Sequence, residues 1–280
     1  MELPRTDLAL ELARSASSTA GLRSQTRRVA GMEITSTDID TPEAAQALGK
    51  PRGRYLTLQT KPLWQSSLDQ DDAICAAAHC LRQLLPANGC VLVAGLGNSD
   101  ITPDALGPRT INGILATRHL SHSLCRSLGL ENLRAVCAIA PGVMGQTGAE
   151  TGEILAALVR QLRPSAVIAV DALAARDTQR LGTTIQISDT GIAPGSGVLN
   201  ARRELCRRTL GVPVISMGIP TVVDASGLIP EPPSAHSQPL MVTPREIDLL
   251  IGHGARFLAG AINKALQPQL SLEELRGLCS

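Results

Sequence analysis

Aromatic residues are nearly absent from this chain of 280 residues, which has one tryptophan, one tyrosine and one phenylalanine: Trp64, Tyr55 and Phe257. Proteins that bind single-stranded nucleic acids stack the bases on several aromatic side chains, so the sequence argues against that class. Hydrophobic residues nevertheless make up 44% of the chain. A globular core must therefore be built here from Leu, Ile, Val, Ala and Met.

A strong excess of charge of either sign is also missing. The chain has 26 basic and 25 acidic residues, for a net charge of +1, and only 18% of its residues are charged. Short arginine clusters occur, such as Arg27 with Arg28, but no motif for duplex binding accompanies them. We therefore expect no direct nucleic-acid partner.

The sequence also lacks a Cys-x-x-Cys pair, an N-terminal secretion signal and any apolar run long enough to span a membrane. The seven cysteines are an odd number, and several lie within apolar runs. This usage is typical of reduced, buried thiols. These observations indicate a cytoplasmic protein without a membrane partner.

Short apolar runs alternate with helix-like spacing over most of the chain. Strands are expected at residues 28–36, 54–60, 90–95, 134–141, 165–170, 183–188 and 212–218. Helices are expected at residues 5–18, 70–86, 150–163, 243–265 and from 271 onward. Thr243, Pro244 and Glu246 have the spacing of an N-cap, a first-turn proline and a capping box.

This alternation favours an α/β fold with a twisted, mostly parallel sheet and helices on both faces. We expect a single domain over residues 1–280, with an N-terminal arm and lobe at about 1–88 and an α/β core at about 89–268. The proline-rich segment at 226–240 is expected to be a long loop or flap.

Two carboxylates follow apolar strands, where open α/β sheets bind their ligands. Asp104 lies in the segment AGLGNSDITPDALGPRT after the 90–95 strand, and Asp171 is expected to end the strand that carries AVIAV. Paired acids can share a proton, polarise a water and protonate a leaving amine, or they can hold a divalent metal. Each could instead cap a helix or a turn. A dinucleotide site is disfavoured, because Asp100 stands where the G-x-G-x-x-G fingerprint requires glycine.

Three loops on the same expected edge are rich in glycine, proline and hydroxyl residues. They span residues 139–151, 188–202 and 218–226. Such loops can bind a substrate backbone or an oxyanion through exposed amides, or they can simply form tight turns.

A series of blocks, taken in order, resembles the spore germination protease family from residue 5 to about residue 268. They include RTDLALE (5–11), GKPRGRYLTLQT (49–60), VLVAGLGN (91–98), TPDALGP (102–108), TRHL (117–120), APGVMGQTGAET (140–151), VDALAAR (170–176), SDTGIAPGSG (188–197), GVPVISMGIPTVVDA (211–225) and MVTPREID (241–248).

The resemblance implies an endopeptidase that degrades small acid-soluble spore proteins during germination and cuts after Glu. It implies a phosphorylase/hydrolase-like fold, similar to that of hydrogenase maturation peptidases. It also implies a homotetramer, made as a zymogen, in the cytoplasm of the forespore or the spore core. Because only four residues precede Arg5, we expect the usual propeptide to be missing or already trimmed.

By the same resemblance, Asp104 and Asp171 match the two essential aspartates of a class described both as atypical aspartic peptidases and as metallopeptidases. Whether a divalent metal takes part therefore stays open, with Asp104, Asp171 and His119 as candidate ligands. The loop residues expected to help bind the substrate are Gly142, Gly145, Thr147, Thr190 and Ser196.

Two other functions are weighed against this one. The chain could be a catalytically silent protein that binds spore proteins or DNA through its arginine clusters, although both aspartates stand within their family blocks. It could also be a small-molecule hydrolase on the same scaffold, which the blocks beyond the two aspartates disfavour.

Overall fold

The computed structural model describes residues 6–16, 20–65, 70–127, 129–195, 203–225 and 240–279. Two features expected from the sequence lie outside these residues. They are Ser196 and the proline-rich segment up to residue 239.

The strands and helices of the described residues follow the expected alternation in most places. The strands are β1 (Leu22–Val29), β2 (Met32–Ile39), β3 (Gly53–Gln59), β4 (Val91–Gly95), β5 (Val136–Ile139), β6 (Ala166–Ala175), β7 (Thr184–Ser188), β8 (Val214–Asp224) and β9 (Met241–Val242). The helices are α1 (Ala9–Ser15), α2 (Pro42–Leu48), α3 (Asp71–Leu84), α4 (Leu106–Ile111), α5 (His122–Ser127), α6 (Met144–Thr147), α7 (Thr151–Leu162), α8 (Arg207–Leu210), α9 (Ile247–Leu266) and α10 (Leu272–Leu278). Short 3-10 helices span Thr102–Asp104 and Thr178–Arg180.

The strands form a single mixed sheet in the order β1-β2-β3-β7-β8-β6-β4-β5, with β9 paired to β8. Pairing is parallel between β5, β4, β6 and β8, and antiparallel along β8, β7, β3, β2 and β1. The expected α/β fold is confirmed, but the sheet is mixed rather than mostly parallel, because three of its strand pairings are parallel and five are antiparallel. Parallel pairing is confined to the part that carries the strand–helix alternation. The three strands before residue 60 extend the same sheet as antiparallel partners.

Helices cover both faces of the central strands and bury them, whereas the edge strand β1 is mostly exposed. On one face α3, α4, α9 and α10 pack on the strands around Phe257 in the largest core cluster. On the other face α7 and α8 pack on β4, β6 and β8. All five residues of β4 are buried, as expected for a strand covered on both sides. None of the helices in these described ranges is both long and apolar enough to cross a membrane.

Two local predictions are wrong. Residues 28–36 are not one strand, because a two-residue turn at Ala30 and Gly31 divides them between β1 and β2. Both turn residues have positive φ, 51° and 73°, which is the conformation of a tight hairpin turn. The last long helix also begins at Ile247 rather than at a Thr243 cap. The terminal helix is confirmed, since Ser271 and Glu274 form its capping box.

Candidate active site

Asp171 lies within a strand rather than at its end. Asp171 is the sixth residue of β6 and follows Val170, which is the last residue of β6 that pairs with β4. Beyond this point β6 continues to Ala175 with β8 as its partner. The prediction that the strand ends at Asp171 is therefore wrong. The carboxylate does lie at the point where β4 ends, which leaves space beside β6. Asp171 is only 5% exposed, and its Oδ1 accepts a hydrogen bond from the Ala172 N–H at 2.9 Å.

A glycine on β8 allows this strand to pass close to Asp171. Gly218 is the register partner of Asp171, and a Cβ at Gly218 would lie 2.5 Å from the Asp171 carbonyl oxygen. That separation is shorter than any ordinary contact, so only glycine fits without a backbone shift. The position of Asp171 is thus set by the packing of the central strands.

Asp104 is held on a loop by contacts from several elements. It ends the 3-10 helix Thr102–Asp104, and the Asn98 N–H donates to its Oδ2 at 2.7 Å. Gly97 has a φ of 112°, and a Cβ there would lie 2.0 Å from the Asp104 carbonyl oxygen. From β8, the Thr221 hydroxyl donates to the Pro103 carbonyl at 2.9 Å. The loop after β4 is therefore wrapped around Asp104 and fastened to β8.

The structure brings the two carboxylates to one cavity of about 320 Å³. Apolar side chains form much of its wall, among them Ile101, Leu173 and Met241. Ile101 is unusual in being 53% exposed although it is a large hydrophobic residue. The cavity thus combines three carboxylates, Asp7, Asp104 and Asp171, with an apolar wall beside them.

A second cavity, of about 590 Å³, adjoins the first and shares Asp7 and Leu173 with it. It contains charged groups of both signs, including Lys50 and Glu204. Tyr55 also lines it, and burial raises the pKa of its phenol to about 12. Tyr55 therefore stays neutral at physiological pH, with its hydroxyl donating to the Pro51 carbonyl at 2.8 Å.

Asp7 forms the boundary between the two cavities, and its role was not predicted from the sequence. Its N–H donates to the Ala174 carbonyl at 2.9 Å, and its Oδ2 accepts from the Ala174 N–H at 2.9 Å. Its Oδ1 lies 3.8 Å from the Lys50 Nζ, with both side chains largely buried. The block RTDLALE, which contains Asp7, was the available signal. The N-terminal segment thereby reaches the same edge as the carboxylates.

Most of the loop residues predicted to bind substrate lie beside the cavities rather than in them. Gly142, Gly145 and Thr147 line neither cavity. The Thr147 hydroxyl is instead used within its own loop, where it donates to the Val143 carbonyl at 3.2 Å. Thr190 does line the larger cavity, and its hydroxyl lies 3.0 Å from that of Ser188.

His119 is not brought together with the two carboxylates. It is exposed and lines neither cavity, and its neighbour Arg118 donates its N–H to Val136, the first residue of β5. The start of a parallel strand lies at the opposite edge of the sheet from the loops that carry Asp104. Across the described ranges, no group of three or more His, Cys, Asp or Glu residues could hold a metal ion.

Comparison with known proteins gives a consistent set of relatives. A sequence model of the germination protease family matches residues 5–232. The germination protease of Clostridium acetobutylicum is 38% identical over 98% of this chain and 98% of its own length. That of Caldanaerobacter subterraneus subsp. tengcongensis is 40% identical over 98% of this chain and 97% of its own. The germination protease of a Geobacillus species is 45% identical over 79% of this chain and 64% of its own length.

Among solved structures, a [NiFe] hydrogenase maturation protease, HycI, from Thermococcus kodakarensis KOD1 matches 65% of this chain and 98% of its own. The two are 16% identical, with a TM-score of 0.37. A likeness this distant says nothing about the reaction of this chain.

Proposed function

This chain belongs to the germination protease family, and we propose that it is the endopeptidase that degrades small acid-soluble spore proteins when a spore germinates. The observation that carries the proposal is the single cavity that contains both Asp104 and Asp171. Peptide hydrolysis needs one group that takes a proton from water and another that gives a proton to the leaving amine. Two acids in one cavity can supply both.

In the proposed mechanism, Asp104 and Asp171 share one proton. A pair of carboxylates that shares one proton can act as base and acid in the same reaction. The ionised member takes a proton from a water molecule as that water attacks the peptide carbonyl carbon. The protonated member gives its proton to the leaving nitrogen. No step of this proposed mechanism requires a metal.

The shape of the two adjoining cavities supports an extended peptide as the substrate. An extended chain advances about 3.3 Å per residue, so neighbouring substrate side chains fall into neighbouring cavities. The larger cavity contains Lys50 and Arg176, which can attract an acidic side chain. We propose that this cavity accepts the Glu before the scissile bond, and that Thr190 takes part in binding the same residue.

The decisive experiment is digestion of a purified small acid-soluble spore protein by the wild-type chain and by Asp104→Asn and Asp171→Asn. Each substitution keeps the size of the side chain but removes its acid–base function, so we expect kcat to fall by at least about 100-fold. Mass spectrometry of the products identifies the cleavage sites, which should follow Glu. Full activity in both variants would refute the assignment.

We further propose, from the family resemblance, that the chain is made as a zymogen and assembles as a homotetramer in the spore core. Light scattering on the purified protein measures the assembly directly. A monomer at the concentrations used for the digestion assay would remove this part of the proposal without touching the proposed chemistry.

A further inference from the structure

Gln146 connects helix α6 to the loop that carries Asp104. Its side-chain Nε2 donates hydrogen bonds to Asn98 Oδ1 and to Asp100 Oδ2, both at 2.9 Å. Gln146 is exposed and lines neither cavity, so its amide is not part of the proposed substrate-binding surface. These two hydrogen bonds join the loop after β5 to the loop after β4.

Asn98 links Gln146 to the Asp104 carboxylate. Its backbone N–H donates to Asp104 Oδ2 at 2.7 Å, a hydrogen bond to an acid within the proposed active site. Its side-chain Oδ1 accepts from Gln146 and also from the Asp100 N–H at 3.0 Å. The amide that orients Asp104 therefore belongs to a residue whose own side chain is held by Gln146.

The local geometry of α6 directs Gln146 toward this loop. Gly142 and Gly148 both have left-handed backbone conformations, with φ of 76° and 71°, on either side of the short helix. The Thr147 hydroxyl donates to the Val143 carbonyl and so occupies its own turn. The residues of this glycine-rich block thus shape the turn that presents Gln146, which accounts for their lying near the site without lining the cavity.

We infer that Gln146 is a positioning residue for Asp104 in peptide-bond hydrolysis. The inference rests on the proposed function, in which Asp104 is one of the two catalytic acids. Loss of the Gln146 amide frees Asn98 and Asp100 to move, and the N–H that holds Asp104 Oδ2 moves with them. Catalysis depends steeply on geometry, since a displacement of about 1 Å at a reacting group can reduce the rate by about 100-fold.

The first test compares Gln146→Leu with Gln83→Leu as a matched control. Gln83 is also an exposed glutamine with a side-chain hydrogen bond, to His79, but it lies on α3 and lines neither cavity. With a Glu-containing peptide as the substrate, we expect Gln146→Leu to reduce kcat by about tenfold, with KM and the melting temperature close to wild type. Gln83→Leu should leave kcat unchanged. Equal kcat values for the two variants would overturn the inference.

The second test uses Gln146→Glu and the pH profile of kcat. Ionised glutamate has no donor, so at neutral pH it faces two acceptors, Asn98 Oδ1 and the Asp100 carboxylate, and should reduce kcat more than leucine does. Protonated glutamate can donate again. The ratio of variant to wild-type kcat should therefore recover as the pH falls toward about 5, near the ordinary pKa of Glu and above it because of Asp100. A ratio that stays flat with pH would contradict positioning by a donated hydrogen bond.

Asp104→Asn separates failure of this inference from failure of the proposed function. If Asp104→Asn abolishes activity while Gln146→Leu and Gln146→Glu behave like wild type, the inference fails and the proposed chemistry stands. If Asp104→Asn keeps full activity, both fail together. The expected pattern is a large loss for Asp104→Asn and a smaller, pH-dependent loss for Gln146→Glu.

Discussion

The two carboxylates of the proposed active-site cavity are held by different parts of the molecule. Asp171 lies inside β6, between strands in the middle of the sheet, and is almost fully buried. Asp104 lies on the loop after β4, where it is held by a glycine turn and by the Asn98 N–H. One acid therefore depends on the packing of the whole sheet, and the other on a local network of hydrogen bonds.

The largest expected effect is on stability and comes from disturbing the strands that hold Asp171. Gly218→Ala would place a Cβ 2.5 Å from the Asp171 carbonyl oxygen and 2.8 Å from Leu173 Cγ. Two packed central strands would have to separate, so we expect a loss of about 3 kcal/mol of unfolding free energy. Thermal and denaturant unfolding measure this loss.

Activity in Gly218→Ala should fall as well, because the shift that separates the strands also displaces Asp171, the register partner of Gly218. A normal melting temperature together with low activity would contradict the conclusion that the position of Asp171 depends on the packing of the whole sheet.

Disturbing the loop that holds Asp104 should change stability less and act mainly on kcat. Gly97→Ala places a Cβ 2.0 Å from the Asp104 carbonyl oxygen at a residue whose φ is 112°, so the turn must change its conformation. Backbone strain of this kind costs about 1–3 kcal/mol, and the exposed residues that follow in the loop can take up part of the shift. We expect a smaller change in melting temperature than for Gly218→Ala, but a fall in kcat of about 100-fold.

The contrast between the two glycine variants is read from paired measurements of melting temperature and kcat on the same preparations. If Gly97→Ala lost as much stability as Gly218→Ala, the distinction between a loop-held and a sheet-held carboxylate would not stand.

The smallest expected effect is that of chelation. The proposed shared-proton mechanism needs no metal, so exhaustive treatment with a chelator should leave kcat unchanged. The assay is digestion of the spore protein before and after dialysis against chelator, with metal analysis of the same samples. Loss of activity that a divalent metal restores would replace the shared-proton mechanism with a metal-assisted one.

Several features of the fold could be predicted because they depend on neighbouring residues. The apolar run Val91–Gly95 reads as a buried strand, and Ser271 with Glu274 reads as a capping box; both are confirmed. The turn at Ala30 was missed because alanine seldom adopts a positive φ, and Gly31 alone did not mark the break. The start of α9 was misplaced because three well-spaced residues resembled a cap that the chain does not form.

The meeting of the two acids could be predicted from the sequence, but not how each is placed. The structure brings Asp104 and Asp171 to one cavity, with Asp104 after β4 and Asp171 inside β6, and their catalytic roles stay a prediction. Gly142, Gly145 and Thr147 were assigned to substrate binding, but they lie on the adjoining loop. Position within a glycine-rich loop does not reveal which side chain reaches a neighbouring loop, and here that side chain belongs to Gln146.

The sequence by itself determined the kinds of residues available, most of the local strands and helices, and the two acids next to buried apolar runs. Only the tertiary structure decided which strands became neighbours. The antiparallel pairing of β3 with β7 adds the N-terminal strands to the sheet, and the contact of Asp7 with Ala174 brings the N-terminal segment to the cavity edge. The physical reason is that helix caps and apolar periodicity act between nearby residues. Strand order and register instead depend on the burial of a whole sheet face, to which distant segments contribute together.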